Sequence, residues 1–454
     1  MFRFIDLFAG IGGFHHALGG PEFGGECVFA SDIDPKCRLV YQSTWPELPE
    51  ERLVGDIREL TLQRNGKDRP LKRLAELIPD HDVLCAGFPC QPFSKSGTQR
   101  GVLDATRGTL FFDILRIVQA KKPEFLLLEN VRNLAGPRHT ETWATIVESL
   151  RGEGYRLSDV PVILSPHLLP PELGGTPQTR DRVFILARQV RANESLESGP
   201  LYVRGAVDDW DPDSWRIEDF LDSDNDIANL ADYQLRDEEV AWIDAWNYFV
   251  QNLPDEALPG FPLWQDEFKL KPTIPRSAPE WKRDFLLKNA DFYGRHRSFI
   301  NKWRKMSWIP GSDYKVTDFP ASRRKLEWQA RNAQPSAAQR DLWQLTLHFR
   351  PSGIRVRPAT YLPTLVAINQ TSIIGSRRRR ITPREASRLQ GIPDWVFEQA
   401  VVDDTTAYRQ LGNGVNVGAV RYLARILFED GGKTWGKPSK PLGRRRQVGL
   451  QLNL

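Results

Sequence analysis

The sequence predicts an α/β fold, with a doubly wound, Rossmann-like sheet joined to a second, irregular domain. Three observations predict it. Over the first 190 residues, short apolar segments alternate with helical patterns, as in βαβ units. A glycine-rich turn, Phe8-Ala9-Gly10-Ile11-Gly12-Gly13, follows the first apolar segment. Beyond residue 202 the alternation stops, and ten of the fourteen tryptophans lie between 202 and 375.

The expected strands are 2–8, 27–30, 82–86, 125–128 and 182–187, each short, apolar and bounded by polar, Gly or Pro residues. The clearest helical pattern is 109–122, with Leu110, Ile114, Ile117 and Val118 on one face. Helical signal returns at Thr382-Pro383-Arg384-Glu385, a capping-box pattern that runs through Leu389 and stops at Gly391. A last helix, 415–428, follows Gly412-Asn413-Gly414. The expected domains are 1–190, 191–378, a returning segment 379–430 and a basic tail 431–454.

The chain has 454 residues, room for two or three domains. Its 40% hydrophobic and 26% charged residues are ordinary for a soluble globular protein. No apolar run reaches the ~20 residues that span a bilayer, and Asp6 interrupts the N-terminus where a signal peptide would stay apolar. Cys27, Cys37, Cys85 and Cys90 form neither a CxxC zinc pattern nor a disulfide scaffold. A reducing, cytoplasmic setting and no metal are expected.

The net charge of +4 is small, but its distribution is uneven. Residues 201–268 hold 18 acids and 3 bases, and residues 271–331 hold 15 bases and 6 acids. The basic stretch, with Lys302, Arg304 and Lys305, reads either as a phosphate-contacting surface or as a face paired with the acidic stretch.

Several residues at strand ends have chemistry. Glycines after a first strand let the backbone approach a ligand, and Asp32, after the second strand, is placed for ribose hydroxyls. Cys90, in Gly87-Phe88-Pro89-Cys90-Gln91-Pro92-Phe93-Ser94, follows the third strand in a polar, proline-flanked loop. A thiolate there is a strong nucleophile if its pKa is lowered; the alternative is a buried, inert thiol. Glu129, in Glu129-Asn130-Val131, ends the next strand at the same sheet edge, where burial would fit it to donate a proton. Arg180 and Arg182, in Gln178-Thr179-Arg180-Asp181-Arg182, are two apart and in extended chain would share a face, fit to hold a carbonyl, a phosphate or Glu129.

In this order these motifs resemble the cytosine-C5 DNA methyltransferase family, over roughly 4–188 and 380–427. The resemblance implies a methyltransferase sheet with a target-recognition domain in 191–378. It implies S-adenosylmethionine as methyl donor, Cys90 as nucleophile, and Glu129, Arg180 and Arg182 as its catalytic partners. Phe8, Gly10, Gly12, Asp32, Asp56, Ile57, Pro89, Leu110, Asn413 and Val415 would contact the cofactor, with Asp32 in place of a more usual Glu. The helix from Thr382 and the run Gln410-Leu411-Gly412-Asn413 match later motifs. Ser96 would enter the gap left by a flipped cytosine, and the pair Thr364-Leu365 matches a landmark of the recognition domain. Double-stranded DNA is the implied partner, with a functional restriction endonuclease and a monomeric, bacterial, nucleoid-associated enzyme implied by analogy. A nicotinamide-dependent dehydrogenase would leave Cys90, Glu129 and the arginines unexplained. An RNA methyltransferase of the same fold and a non-catalytic DNA-binding relative are the other rivals.

Overall fold

The computed structural model describes residues 1–89, 110–190, 193–198, 210–254, 258–365, 371–399 and 402–430. Cys90, Ser96 and the tail 431–454 lie outside the described residues. Two compact units emerge. Within the described residues the first gathers 1–215, 363–365 and 383–430, and the second 216–362 and 371–382.

In the first unit β1 (Arg3–Leu7), β2 (Glu26–Ser31), β3 (Leu53–Val54), β4 (Val83–Gly87) and β5 (Phe125–Val131) are followed by β6 (Tyr155–Ser158), β7 (Val162–Leu164), β8 (Arg182–Gln189) and β9 (Glu197–Ser198). The sheet order is β3-β2-β1-β4-β5-β8-β6-β9, with β7 also paired to β8. From β3 to β5 every pair is parallel, whereas β8 runs antiparallel to β5. The interior strands are buried on both faces, which is why they read as continuous apolar runs. Helices α1 (Gly13–Leu18), α2 (Pro35–Thr44), α3 (Leu110–Lys121) and α4 (Thr140–Gly152) connect them. Asp34 caps α2 by accepting from the Lys36 amide, and Pro35 opens it. Ile114, Ile117 and Val118 of α3 are fully buried, so its apolar stripe faces the sheet.

The second unit is more regular than its sequence. Strands β10 (Leu263–Trp264), β11 (Lys325–Trp328), β12 (Thr346–Arg350), β13 (Gly353–Arg357), β14 (Ile373–Ile374) and β15 (Arg379–Arg380) form one sheet in the order β10-β11-β13-β12-β14-β15. Helices α5 (Asp237–Gln251) and α6 (Glu280–Trp303) accompany it. The strands are two to five residues long and mostly antiparallel, so no βαβ rhythm marks them in the sequence. The tryptophans build the core: Trp242, Trp246, Trp303, Trp328 and Trp343 are all buried within it. Indole N–H groups need partners when buried, and all of these but Trp328 find one among the described residues. Trp246 donates to the Arg323 carbonyl (2.9 Å), Trp303 to the Ala245 carbonyl (2.8 Å) and Trp343 to Asp244 (2.7 Å).

The acidic stretch has a structural use. Its carboxylates take up the four-arginine run at 377–380. Arg377 pairs with Glu218 (3.1 Å), Arg379 with Asp224 (2.8 Å) and Arg380 with Glu239 (2.6 Å), while the Arg378 guanidinium lies 4.3 Å from the Trp343 ring centre. Arg379 is fully buried.

In the first unit the chain returns as α7 (Pro383–Leu389), α8 (Asp404–Asn413) and α9 (Val417–Asp430), with a short helix Trp395–Gln399 between α7 and α8. Lys36 Nζ reaches Asp403 (3.2 Å) and Thr406 Oγ1 (2.9 Å), and Arg409 reaches Asp34 (3.1 Å). Deeper in, Asn416 Nδ2 donates to the Leu389 carbonyl (3.0 Å) and Thr176 Oγ1 (3.1 Å), and Gln390 donates to Gln178 (3.0 Å). Among the described residues no helix is long and apolar enough to cross a membrane.

Replacing Asp224 by Ala would take the carboxylate from the fully buried Arg379. A hydrogen bond to a buried charged group is worth about 1–3 kcal/mol, so the denaturant midpoint should fall by a corresponding amount. An unchanged midpoint would show that the carbonyl acceptors alone satisfy this arginine.

Candidate active site at the carboxyl ends of the strands

Five parallel strands end on one edge of the first unit's sheet. The strand order reverses between β1 and β4, which makes that edge a topological switch point, the usual place for a ligand in an open α/β sheet. Phe8 follows β1, Asp32 follows β2, Asp56 lies two residues beyond β3, Pro89 two beyond β4, and Glu129 sits near the end of β5.

The glycine turn is tightly folded. Phe8, Gly10 and Gly12 all have positive φ (56°, 56° and 78°), so alternate residues take the left-handed conformation that glycine adopts without strain. For Phe8 that conformation is strained, and strain of this kind gathers at ligand sites. The Gly10 amide donates to Asp32 Oδ2 (2.8 Å) and the Asp34 amide to Oδ1 (2.8 Å). Burial raises the Asp32 pKa, against the pull of these two amides. Each carboxylate oxygen keeps a lone pair for a ligand hydroxyl, and the space outside Gly10 is open for at least 4 Å around a would-be Cβ. An adenosine-type cofactor therefore fits this turn. Asp56 is gripped by the Arg58 guanidinium (2.6 Å) and its amide (2.9 Å), which pulls its pKa down, and Ile57 beside it is buried. Leu110 packs half-buried against the core, and Pro89 is exposed.

The returning segment closes over α1. A Cβ on Gly13 would meet Val415 Cγ1 at 2.6 Å and the Val415 carbonyl at 2.7 Å, so only glycine allows this approach. Val415 is buried and Asn413 exposed.

Glu129 is the chemical centre. The register sets Val131 opposite Arg182 on β8. Directly opposed residues share a face, as do residues two apart along a strand, so Glu129 and Arg182 meet on one side. Arg182 Nε lies 2.9 Å from Glu129 Oε1. A methyl group on Gly87 would stand 3.5 Å from Glu129 Oε2, 3.7 Å from the Phe14 ring and 3.9 Å from the Phe8 carbonyl. The carboxyl thus lies between the ends of β1, β4 and β5. Burial raises its pKa, opposed by the charges of Arg182 and Arg180 and by the Arg182 hydrogen bond. The result is a carboxyl poised to hold and deliver a proton.

Arg180 and Arg182 have different work. The strand begins at Arg182, so the two-residue rule does not extend back to Arg180. Arg180 is fully buried and its Nη2 donates to the carbonyls of Gly412 (2.9 Å) and Gly414. Its Nε and Nη1 find no acceptor among the described residues.

Asn130, read in the sequence only as part of a motif, also acts. Its Nδ2 donates to the Phe88 carbonyl (2.9 Å) and fixes the chain just before Pro89 and Cys90. Its place beside Glu129 was the available signal. Asp6 is the hidden group: fully buried in β1, with a pKa raised by burial and then by Asp32. Among the described residues no group of three or more His, Cys, Asp or Glu could hold a metal.

Thr364 donates to the Thr179 carbonyl (2.6 Å), beside the arginine motif, and Leu365 is buried. In the second unit Lys302 and Lys305 are exposed. Arg304 is turned inward, donating to the Gln265 carbonyl (2.5 Å) and lying 5.4 Å from the Tyr293 ring centre.

The fold and site define a class, a doubly wound α/β sheet with a left-handed glycine turn beside a buried carboxyl at its ligand edge. Comparison with known proteins gives the family. The profile described as C-5 cytosine-specific DNA methylase matches residues 2–429. The chain is 38% identical to Type II methyltransferase M.AluI of Cellulosimicrobium cellulans over 501 aligned residues, covering 93% of this chain and 91% of that protein. It is 28% identical to Type II methyltransferase M.BanI of Aneurinibacillus aneurinilyticus, over 94% and 96% of the two chains. It is 39% identical to Type II methyltransferase M.HhaI of Haemophilus parahaemolyticus over 184 residues, 40% of this chain and 48% of that one. The chain belongs to the C-5 cytosine-specific DNA methylase family and is a DNA (cytosine-5-)-methyltransferase.

Because Arg182 lowers the Glu129 pKa, Arg182→Ala should raise it further. Difference infrared spectroscopy of the Glu129 carboxyl should then find the protonated form persisting to higher pH than in the wild type; earlier deprotonation would contradict the assigned pairing. A group whose folded pKa is raised contributes stability that is full below its unfolded value and lost as pH rises through the folded value. The Glu129 and Asp6 contributions should therefore decline from the acid side toward neutrality.

Proposed function

We propose that the chain methylates C5 of a cytosine flipped out of duplex DNA, through a covalent bond from Cys90 to C6. We further propose that it serves as the modification half of a Type II restriction-modification pair in a bacterial cytoplasm, at the nucleoid and as a monomer. The observation that carries the chemistry is the buried Glu129 carboxyl with its raised pKa, held by Arg182 at 2.9 Å beside the loop that leads to Cys90. Pairing with an endonuclease is supported by the names of M.AluI and M.BanI, both Type II methyltransferases.

The cofactor is S-adenosylmethionine, which when bound supplies an electrophilic methyl group. Asp32 holds its ribose hydroxyls, Gly10 and Gly12 let the backbone approach it, Phe8, Ile57 and Leu110 offer apolar contact, and Asp56 takes the adenine edge. Pro89, Asn413 and Val415 complete the enclosure. A cytosine C5 is too weak a nucleophile on its own. The Cys90 thiolate adds to C6, and its electron pair moves the ring electrons toward C5. Glu129 gives a proton to N3 as that charge develops, and Arg182 keeps its carboxyl aimed. After C5 is methylated its proton passes to solvent, the C5–H electron pair re-forms C5=C6 as the C6–Sγ bond breaks with its pair on sulfur, and N3 returns the proton to Glu129. Arg180 acts through position, holding the Gly412–Gly414 turn. A paired base cannot reach these groups, so it leaves the stack, with Ser96 placed to enter the gap. Thr364 and the exposed Lys302 and Lys305 contribute DNA contacts; Leu365 is buried, and Arg304 is turned inward onto the Gln265 carbonyl rather than toward the DNA.

Incubation with methyl-labelled S-adenosylmethionine and mixed duplex DNA should label cytosine C5. Cys90→Ser should abolish the label, and Glu129→Gln should slow transfer by roughly 10²–10⁴-fold, the usual worth of a general acid. No label on any duplex would sink the proposal, and full activity in Cys90→Ser would remove its nucleophile.

A further inference from the structure

Two sets of arginines in the second unit are held differently. Arg377, Arg379 and Arg380 each meet a carboxylate. The other set stands on the sheet. Leu326, Trp328, Ile354, Val356, Leu347 and Phe349 point from β11, β13 and β12 into the tryptophan core, so the alternate positions stand on the opposite face. Glu327 pairs with Arg355 across β11 and β13, Arg355 with His348 across β13 and β12, and Arg350 with Gly353. Lys325, Arg350, Arg355 and Arg357 thus share one face with a single carboxylate, Glu327.

Four positive charges against one negative is an unusual excess within one small sheet. Arg355 Nε bonds Glu327, and Arg357 Nε donates to Gln329 Oε1 at 2.9 Å. Among the described residues neither side chain makes a hydrogen bond through its terminal nitrogens, and the Arg350 side chain makes none. Burial lowers the pKa of Arg350 and of Arg357, and the charge of Arg355 lowers both further. Crowded like charges of this kind call for an anion. A guanidinium held through Nε keeps its terminal nitrogens as an oriented fork, which matches guanine O6 and N7. Strands are known to enter DNA grooves as reading elements.

We infer that this sheet face is where the second unit reads duplex DNA, with Arg355 and Arg357 on base edges and Arg350 on a phosphate. This rests on the DNA-methylating reading above. It names groups that set target choice, apart from the exposed lysines near residue 302.

The test uses the full chain, S-adenosylmethionine and a pool of randomised duplexes scored by bisulfite sequencing. Arg355→Gln and Arg357→Gln should each cut methylation of the preferred sites roughly tenfold or more and spread it to duplexes that differ at one base pair. Arg350→Gln should weaken binding to all duplexes alike and reduce the salt slope by about one. Arg355→Lys keeps the charge but not the fork, so it should lose discrimination while keeping the slope. Calorimetric binding of S-adenosylmethionine and thermal unfolding identify a variant that has misfolded, in which case Arg355→Lys decides. Wild-type site preference in the Arg355→Gln, Arg357→Gln double variant would overturn the inference, as would uniform loss with an unchanged preference. A wild-type protein inert on every duplex would instead overturn the methylation reading itself.

Discussion

The first unit depends on a closure made by one buried guanidinium. Its chain leaves near residue 215, returns briefly at 363–365 and again from 383, and the last segment is tied back to the sheet. Arg180 makes the tie by donating to the carbonyls of Gly412 and Gly414. Its charge is buried at a cost, and two of its donor nitrogens remain without an acceptor among the described residues. The close approach of Val415 to Gly13 and the buried amides of Asn416 and Gln390 distribute the rest of the closure. A site assembled from both ends of a chain needs such a lock, because loops at strand ends have little packing of their own.

Arg180 makes the closure, whereas Arg182 holds Glu129 at 2.9 Å. Burial pushes the carboxyl toward its neutral form, and the arginines pull it back. The carboxyl is held at a fixed place by Arg182, and Asn130 fixes the chain just before Pro89. The second unit handles charge by the opposite device. Its acidic stretch neutralises Arg377, Arg379 and Arg380 and builds them into the fold, while on the β13 face Glu327 meets Arg355 alone among the described arginines.

The sheet was legible in the sequence because its five central strands are apolar on both faces and glycine or proline marks their ends. All five expected strands are present, each with ends shifted by a few residues at most. The short β6, β7 and β9 carried too little pattern to be seen. Position at a strand end was enough to place Asp32 and Glu129 on that edge of the sheet, where a doubly wound fold gathers ligands. The division of labour between Arg180 and Arg182 was not legible, because it depends on where β8 begins. The use of the acidic stretch was equally hidden. Asp224 and Arg379 are 155 positions apart, and no local pattern links them.

The proposed chemistry turns on a covalent bond between Cys90 and C6 of the target cytosine. Duplex DNA with fluorine at cytosine C5 tests it directly, since the methylated adduct has no C5 proton to lose and the thiolate cannot leave. With S-adenosylmethionine present, peptide mass spectrometry should find a stable nucleotide adduct on Cys90 that carries one added methyl group. An adduct on another residue, or methyl transfer to ordinary cytosine with no adduct on the fluorinated duplex, would contradict it.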